Sequence, residues 1–363
     1  DWSSDVCSSD LWKQSSGLMA RSVTQNAGDH GEHYITRDKK EYWAMFYSAA
    51  GGGVLIALMA LFKTYLGSII DDKVWKGIAE GLNYGLGFMV IFMLHFTVAT
   101  KQPAMTAARF AEAVEKTPQG KTVNMKLAQL LVDVFRSQSI AVLGNVLIAM
   151  GLAALIAFGY QYKTGEPLMN ADQIAYQLHS IDPFAGTLWF AAIAGVWLFC
   201  SGIISGYFDN RSNYLNMRMR LTQHPLLKKL MSEKTRVKFA NYMHENYGSL
   251  IGNLCFGMLL GITGVVGYLT HLPLDIRHVA FSSANVGYIA VSGQFTYSLL
   301  LQCIGFVLLI GLVNLIVSFS LTLWVALRSL NAEIESWWPI WYEVCQIVKK
   351  RPLSLFFPVQ LDK

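Results

Sequence analysis

The sequence predicts an all-α protein: a polytopic bundle of about six transmembrane helices, with a re-entrant hairpin between the fifth and the sixth. Three observations predict it. Only 15% of the 363 residues are charged, where soluble chains carry about 25%. Hydrophobic residues make up 53%, 30 glycines come on top of them, and the mean hydropathy is +0.36. Most of this apolar material falls in runs close to the roughly 20 residues a helix needs to cross a bilayer core of about 30 Å. The same composition excludes a disordered chain, a disulfide-stapled secreted domain and, at a formal charge of +5, a strongly basic nucleic-acid binder.

Residues 1–11 read as an in-frame translation of a sequencing adapter and are set apart from the fold. On that reading true N-terminal sequence is missing. Residues 12–41 form a polar cytoplasmic segment. In it Asp29, His30, Glu32 and His33 have a loosely metal-like spacing, but they read as unstructured sequence, and neither a metal nor a cofactor is expected. The spans follow at about Tyr42 to Leu66, Gly81 to Ala99, Ile140 to Tyr160, Phe184 to Phe208, Leu250 to Thr270 and Leu299 to Leu327. None shows the strict alternation of a barrel strand. A Lys, Arg or Asp at mid-bilayer costs about 2.5–3.5 kcal/mol on insertion scales. Ionisable residues are accordingly absent from the span centres, and Lys63, near the end of the first span, is expected to snorkel outward.

Cationic residues set the orientation. Residues 12–44, the connections 100–138 and 209–248, and the tail after Leu327 hold 24 of the 29 lysines and arginines. The other connections hold only Lys73, Lys76, Lys163 and Arg277. The positive-inside rule then puts both ends of the chain and the two long connections in the cytoplasm, with the bacterial inner membrane as location. The basic stretches read first as topology signals and headgroup contacts, which makes the lipid bilayer the principal partner and nucleic acid a secondary one. In the tail (328–363), Trp337, Trp338, Trp341 and Tyr342 suggest a helix interrupted by Pro339, lying at the interface or packed on the cytoplasmic loops. Gly-x-x-x-Gly spacing recurs at Gly81/Gly85, Gly202/Gly206, Gly248/Gly252 and Gly257/Gly261. It marks close helix packing, most of all in the fifth span, and leaves a homo-oligomer open.

Two regions stand out as functional candidates. The stretch 271–293 is too polar to cross a bilayer and too apolar for a solvated loop, which a re-entrant hairpin reconciles. There Asp275, Arg277 and His278 are expected to pair at a rim while Ser282, Ser283 and Asn285 line a turn, as a functional cavity element or as a structural plug. The second region is the pair of cytoplasmic span ends, His95, Lys101 and Gln102 on one and Asp209, Asn210 and Arg211 on the other. Their ordinary roles would be a helix-to-helix hydrogen bond and an interfacial ion pair. Asn145, Asn253, Gln302 and Asn314 fall within spans and are read as hydrogen-bonding glue. The motifs of nucleotide-binding loops, dinucleotide folds, serine hydrolases and zinc proteases are missing, and Cys200, Cys255, Cys303 and Cys345 form no Cys-x-x-Cys.

Three stretches in order carry a family resemblance: Leu94-His-Phe-Thr-Val-Ala-Thr-Lys-Gln-Pro-Ala-Met-Thr-Ala107, Gly206-Tyr-Phe-Asp-Asn-Arg211 and Leu272-Pro-Leu-Asp-Ile-Arg-His-Val-Ala-Phe-Ser-Ser-Ala-Asn-Val-Gly-Tyr288. From about Asp38 to Pro358 the chain resembles the bacterial transmembrane proteins grouped as site-specific recombinases, whose members are longer at the N terminus. The resemblance implies DNA strand exchange. That chemistry needs a tyrosine or serine nucleophile with arginines around the scissile phosphate. Arg277, His278 and Tyr288 have suitable types, but the charge count puts them on the outer side. The residues therefore favour a non-enzymatic membrane protein acting in transport, lipid handling or envelope organisation. The alternative is a membrane-tethered recombination protein.

Overall fold

A computed structural model describes residues 35–36, 38–99, 102–115, 121–292, 295–330, 334 and 336–358. Residues 1–11, the cluster at 29–33 and Lys101 lie outside them. Among the described residues there are helices and no strand. Asp38 caps α1 (Lys39–Ile69) by accepting from the Glu41 N–H at 2.7 Å. Three residues later Asp72 caps α2 (Lys73–Met93) through the Val74 and Trp75 N–H groups, both at 2.9 Å. Then come α3 (Gln102–Glu115), α4 (Lys121–Thr164) and the short α5 (Ala171–Ile181), which starts on a capping box of Asn170 and Gln173. α6 (Thr187–Tyr214), α7 (Met217–Gln223), α8 (Pro225–Leu230) and α9 (Glu233–Thr270) follow, then α10 (Val279–Ala290), α11 (Tyr297–Ser329) and α12 (Trp338–Lys350).

Among the described residues five helices, α1, α4, α6, α9 and α11, are long and apolar enough to cross a membrane. α2 makes the sixth crossing. α1 ends at one end of the bundle and α4 starts at the other, so the chain must return between them, and α2 with residues 94–99 makes the return. The outward faces carry Leu58 and Phe62 on α1, Leu147 and Leu155 on α4, and Leu308, Leu312 and Ile316 on α11, all exposed. An apolar belt of this extent suits lipid rather than water. The protein is thus a polytopic transmembrane helical bundle. Most lysines and arginines gather at the end that holds the start of α4 and the end of α6, here the basic end. The opposite end, with the 271–278 segment, is the hairpin end.

The bundle consists of two halves of opposite sense. In the first, α1 and α2 are antiparallel, with Asn83 Nδ2 donating to the Met59 carbonyl at 2.9 Å, and α1 runs parallel to α4, with Gly53 against Ala149 and Gly144 against Ala49. In the second, α6 and α9 are antiparallel, with Trp197 Nε1 donating to Thr263 Oγ1 at 2.8 Å, and α6 runs parallel to α11, with Gly195 against Val317. The halves meet where α2 crosses α9 antiparallel. There Gly257 faces Gly85 and Gly261 faces Gly81, backbone against backbone. A Cβ on Gly257 or Gly261 would collide with the α2 backbone, and one on Gly85 with the Leu254 carbonyl, while at Gly81 it would be tight against Met258, which is why the crossing favours glycine.

Where the helices break, the two halves use the same three bonds. After α2 the chain turns at His95 (φ 57°) and continues without regular helix through residues 96–98. Asn145 of α4 accepts from the Ala99 N–H at 2.8 Å and donates to the carbonyls of Thr97, at 2.9 Å, and of Ala49 on α1. After α9 the chain turns at His271 (φ 56°). Asn314 of α11 accepts from the Val279 N–H at 3.1 Å and donates to the carbonyls of Arg277, at 3.0 Å, and of Ala191 on α6, at 2.7 Å. Each amide thus satisfies irregular backbone that has no water to bond to.

Several expectations are corrected. The second span was expected over Gly81 to Ala99, but α2 covers Lys73–Met93. The apolar run continues past the helix because Asn145 satisfies the broken backbone, and hydropathy does not register that. Pro339 starts α12 instead of interrupting a helix, since proline is tolerated in a first turn. Ile340 and Val344 bury that helix's inner face against α3 and α4, while Trp338, Trp341 and Tyr342 stay exposed. Lys63 does not snorkel outward; its ammonium pairs with Glu80 of α2 at 3.3 Å.

Candidate functional site

Residues 272–278 run back into the bundle along α9. Leu274 lies against Gly267, Asp275 near Gly264, and the His278 ring 5.8 Å from that of Phe256. Phe256 stands well inside α9, roughly 20 Å from its end at Thr270. From that depth α10 climbs back toward the hairpin end, with Val279 against Gly311 and Gly287 against Met150. Every residue of α10 except Asn285 and Ala290 is buried, which explains a sequence that is apolar on all sides. Tyr288 Oη donates to the Ala57 carbonyl at 2.8 Å and ties α10 to α1.

Arg277 anchors the descending segment. Its Nε donates to the Ser180 carbonyl at the end of α5 at 2.8 Å, and its Nη1 reaches Asp275 Oδ2 at 2.6 Å. Its backbone N–H donates to the Phe190 carbonyl at 3.2 Å, and the guanidinium stands 5.3 Å from the Phe190 ring centroid. α5 lies across this end of the bundle, with Ile174 and Ile181 buried beneath it. Its Asp172, Gln173, Tyr176 and Gln177 look down on the hairpin.

Between α1, α2, α5 and the hairpin lies a cavity of about 450 Å³, within the usual range for a small-molecule site. Lys63 and Glu80 form one wall, with the Lys63 ammonium 5.5 Å from the Tyr84 ring centroid. Asp275, Arg277, His278, Ser282 and Asn285 form the facing wall. The acidic side chains Glu80, Asp172 and Asp275 stand against Lys63, Lys76 and Arg277, so the lining is balanced in charge.

Asp275 and Arg277 pair, on the wall of the cavity. His278 is buried, with its ring among those of Phe88, Phe256 and Phe281. Ser282, Ser283 and Asn285 lie on α10 instead of a turn, and Ser283 donates to its own helix at Ala280. At the basic end His95 is exposed beyond the end of α2, and its carbonyl accepts from Ser48 Oγ at 3.0 Å. Gln102 opens α3. Asp209 accepts from the Gly248 N–H at 2.8 Å, and Arg211 Nη1 reaches Tyr207 Oη at 3.4 Å. The two groups of residues lie at opposite ends of the bundle. Lys63, Glu80 and Tyr84 were missed. One signal existed: Lys63 and Glu80 stand nearly equal distances from the turn at Ile70–Asp72, so an antiparallel pair of helices brings them level.

A larger cavity of about 850 Å³ opens among α4, α11 and α12, but apart from Gln138 and Ser320 its walls are apolar and aromatic. Among the described residues no group of three His, Cys, Asp or Glu could hold a metal ion.

Fold and cavity together define a polytopic helical membrane protein with a polar site beside a re-entrant hairpin. A family model, site-specific recombinase, matches residues 4–358, nearly the whole chain, and the chain belongs to that family. No curated protein and no solved structure matches.

Proposed function

We propose that this protein carries a small polar solute without net charge across the bacterial inner membrane, with its basic end in the cytoplasm. The observation that carries the reading is the charge-balanced cavity at the hairpin end, which reaches the break between α9 and α10. Two of its three cations already pair with carboxylates of the lining, Lys63 with Glu80 and Arg277 with Asp275. A charged solute would have to separate such a pair or leave its own charge without a partner. A neutral or zwitterionic one need only bond to it. Two inverted halves with broken helices support the reading, because transporters commonly place their sites at such breaks. The orientation rests on the positive-inside rule.

The test is thermal stabilisation of detergent-purified protein by a panel of neutral, zwitterionic, anionic and cationic solutes. Uncharged or zwitterionic molecules are expected to raise the melting temperature, and Glu80→Gln or Asn285→Ala to abolish the rise. Stabilisation by ions alone, or a rise the variants retain, would contradict it.

The family name favours a second reading, a membrane-tethered DNA recombination protein. The exposed cations on α7 and α8, helices without a buried residue, give it a surface. Against it, Tyr288 and His278 are buried in the bundle, and Tyr288 is committed to Ala57. A DNA affinity that falls steeply with salt would favour this reading; weak binding indifferent to salt would count against it.

A further inference from the structure

The halves match bond for bond at their breaks, yet they differ where their first two helices meet. At the hairpin end α1 and α2 are held apart by side chains. Lys63 and Glu80 bridge them, and the Lys76 ammonium lies 3.1 Å from where a Gly67 Cβ would stand. The polar cavity opens between them. At the basic end α6 and α9 close backbone to backbone. Gly248 lies against the Ser205 carbonyl and the Asp209 carboxylate, and a Cβ on Gly252 would stand 3.0 Å from the Ser201 carbonyl.

The correspondence is residue by residue. Counted from Gly53 and Gly195, which make the same contacts to the carbonyls of Asn145 and Asn314, Ser205 takes the place of Lys63. Counted from Gly81 and Gly257, Gly252 takes the place of Lys76. The space that forms the cavity in one half is therefore shut in the other by two glycines.

We propose that the solute path continues to the basic end through the seam between α6 and α9, closed in this structure, and that the seam opens as the hairpin-end cavity closes. Ser201, Ser205 and Asp209 line the opened seam and offer hydrogen bonds to the same polar solute. This rests on the transport reading above and adds its second gate. Inverted halves make the two states close in energy, because one chain holds both packings of similar helix pairs. It also gives a role to Asp209 and its neighbours, the motif at the end of α6.

The test uses the full chain in native membranes, with its five cysteines replaced by serine and a membrane-impermeant maleimide as probe. Ser201→Cys reports on the seam and Asn285→Cys on the cavity. Gly248→Ala places a methyl against Ser205 and Asp209 and should force the seam apart. The expected result is reciprocal: labelling at Ser201→Cys from the basic side rises, and labelling at Asn285→Cys from the hairpin side falls, each by at least about fivefold. Gly252→Ala, a milder wedge, should move both in the same directions and stands in should Gly248→Ala fail to fold. A rise at Ser201→Cys with no change at Asn285→Cys would overturn the proposal, as would full labelling of Ser201→Cys without either wedge. Reciprocal labelling in a protein that no solute stabilises would sink the transport reading and leave the coupled gates. A stabilising solute with uncoupled labelling would sink the gates alone.

Discussion

Asn145 and Asn314 show how much a single amide can hold in this fold. Each is buried in a long helix and satisfies one N–H and two carbonyls, two of the three on an interrupted stretch of backbone. Truncation leaves those groups without a partner in a place water does not reach, at a cost of about 1–3 kcal/mol for each. Asn314→Ala and Asn145→Ala should each lower the stability of the detergent-solubilised protein by at least about 2 kcal/mol, read as loss of the folded peak in size-exclusion chromatography after heating. Asn253, whose Nδ2 donates to the Ser249 carbonyl of its own helix at 2.8 Å, should tolerate alanine much better. Sequence reading singled out all three asparagines alike, since a polar residue in an apolar run is easy to see. It did not separate them, because their partners lie far away in sequence. The same distance hid the site: Asp275, Arg277, Ser282 and Asn285 were legible in one unusual stretch, while Lys63 and Glu80, on two other helices, were not.

At the scale of elements, the spans were legible and the breaks were not. Long apolar runs located α1, α4, α6, α9 and α11, because length and hydropathy are properties of the run itself. The end of α2 was misplaced, because the non-helical residues after His95 are as apolar as the helix before them and find hydrogen bonds on α4. The α2–α9 crossing was half legible: the fifth span was expected to pack closely, but nothing in the spacing named α2 as its partner. Glycines at that crossing should behave unlike glycines facing lipid. A Cβ on Gly261 would collide with the Gly81 backbone, whereas Gly305 has nothing within 4 Å. Gly261→Ala should therefore destabilise the bundle by about 1–3 kcal/mol. Gly305→Ala should be neutral or stabilise it by up to about 1 kcal/mol through helix propensity. Thermal denaturation of both variants in the same detergent measures the contrast.

At the scale of the whole molecule, the inverted arrangement of the halves escaped sequence reading. Its traces are thin: Gly81, Gly85 and His95 stand at the same spacing as Gly257, Gly261 and His271. Three positions of two common residue types do not rise above chance in a glycine-rich chain. The fold makes them equivalent because opposite directions of travel bring the same contacts to opposite ends. Both the orientation and the solute path depend on the hairpin dipping into the bundle from the end away from the basic connections. Single cysteines at His271, Asn285 and Met219 in a cysteine-free background, probed with an impermeant maleimide in spheroplasts and in inverted vesicles, test this most directly. Labelling of His271→Cys and Asn285→Cys only in spheroplasts, with Met219→Cys labelled only in inverted vesicles, is the expected result. Labelling of Asn285→Cys from the same side as Met219→Cys would contradict it.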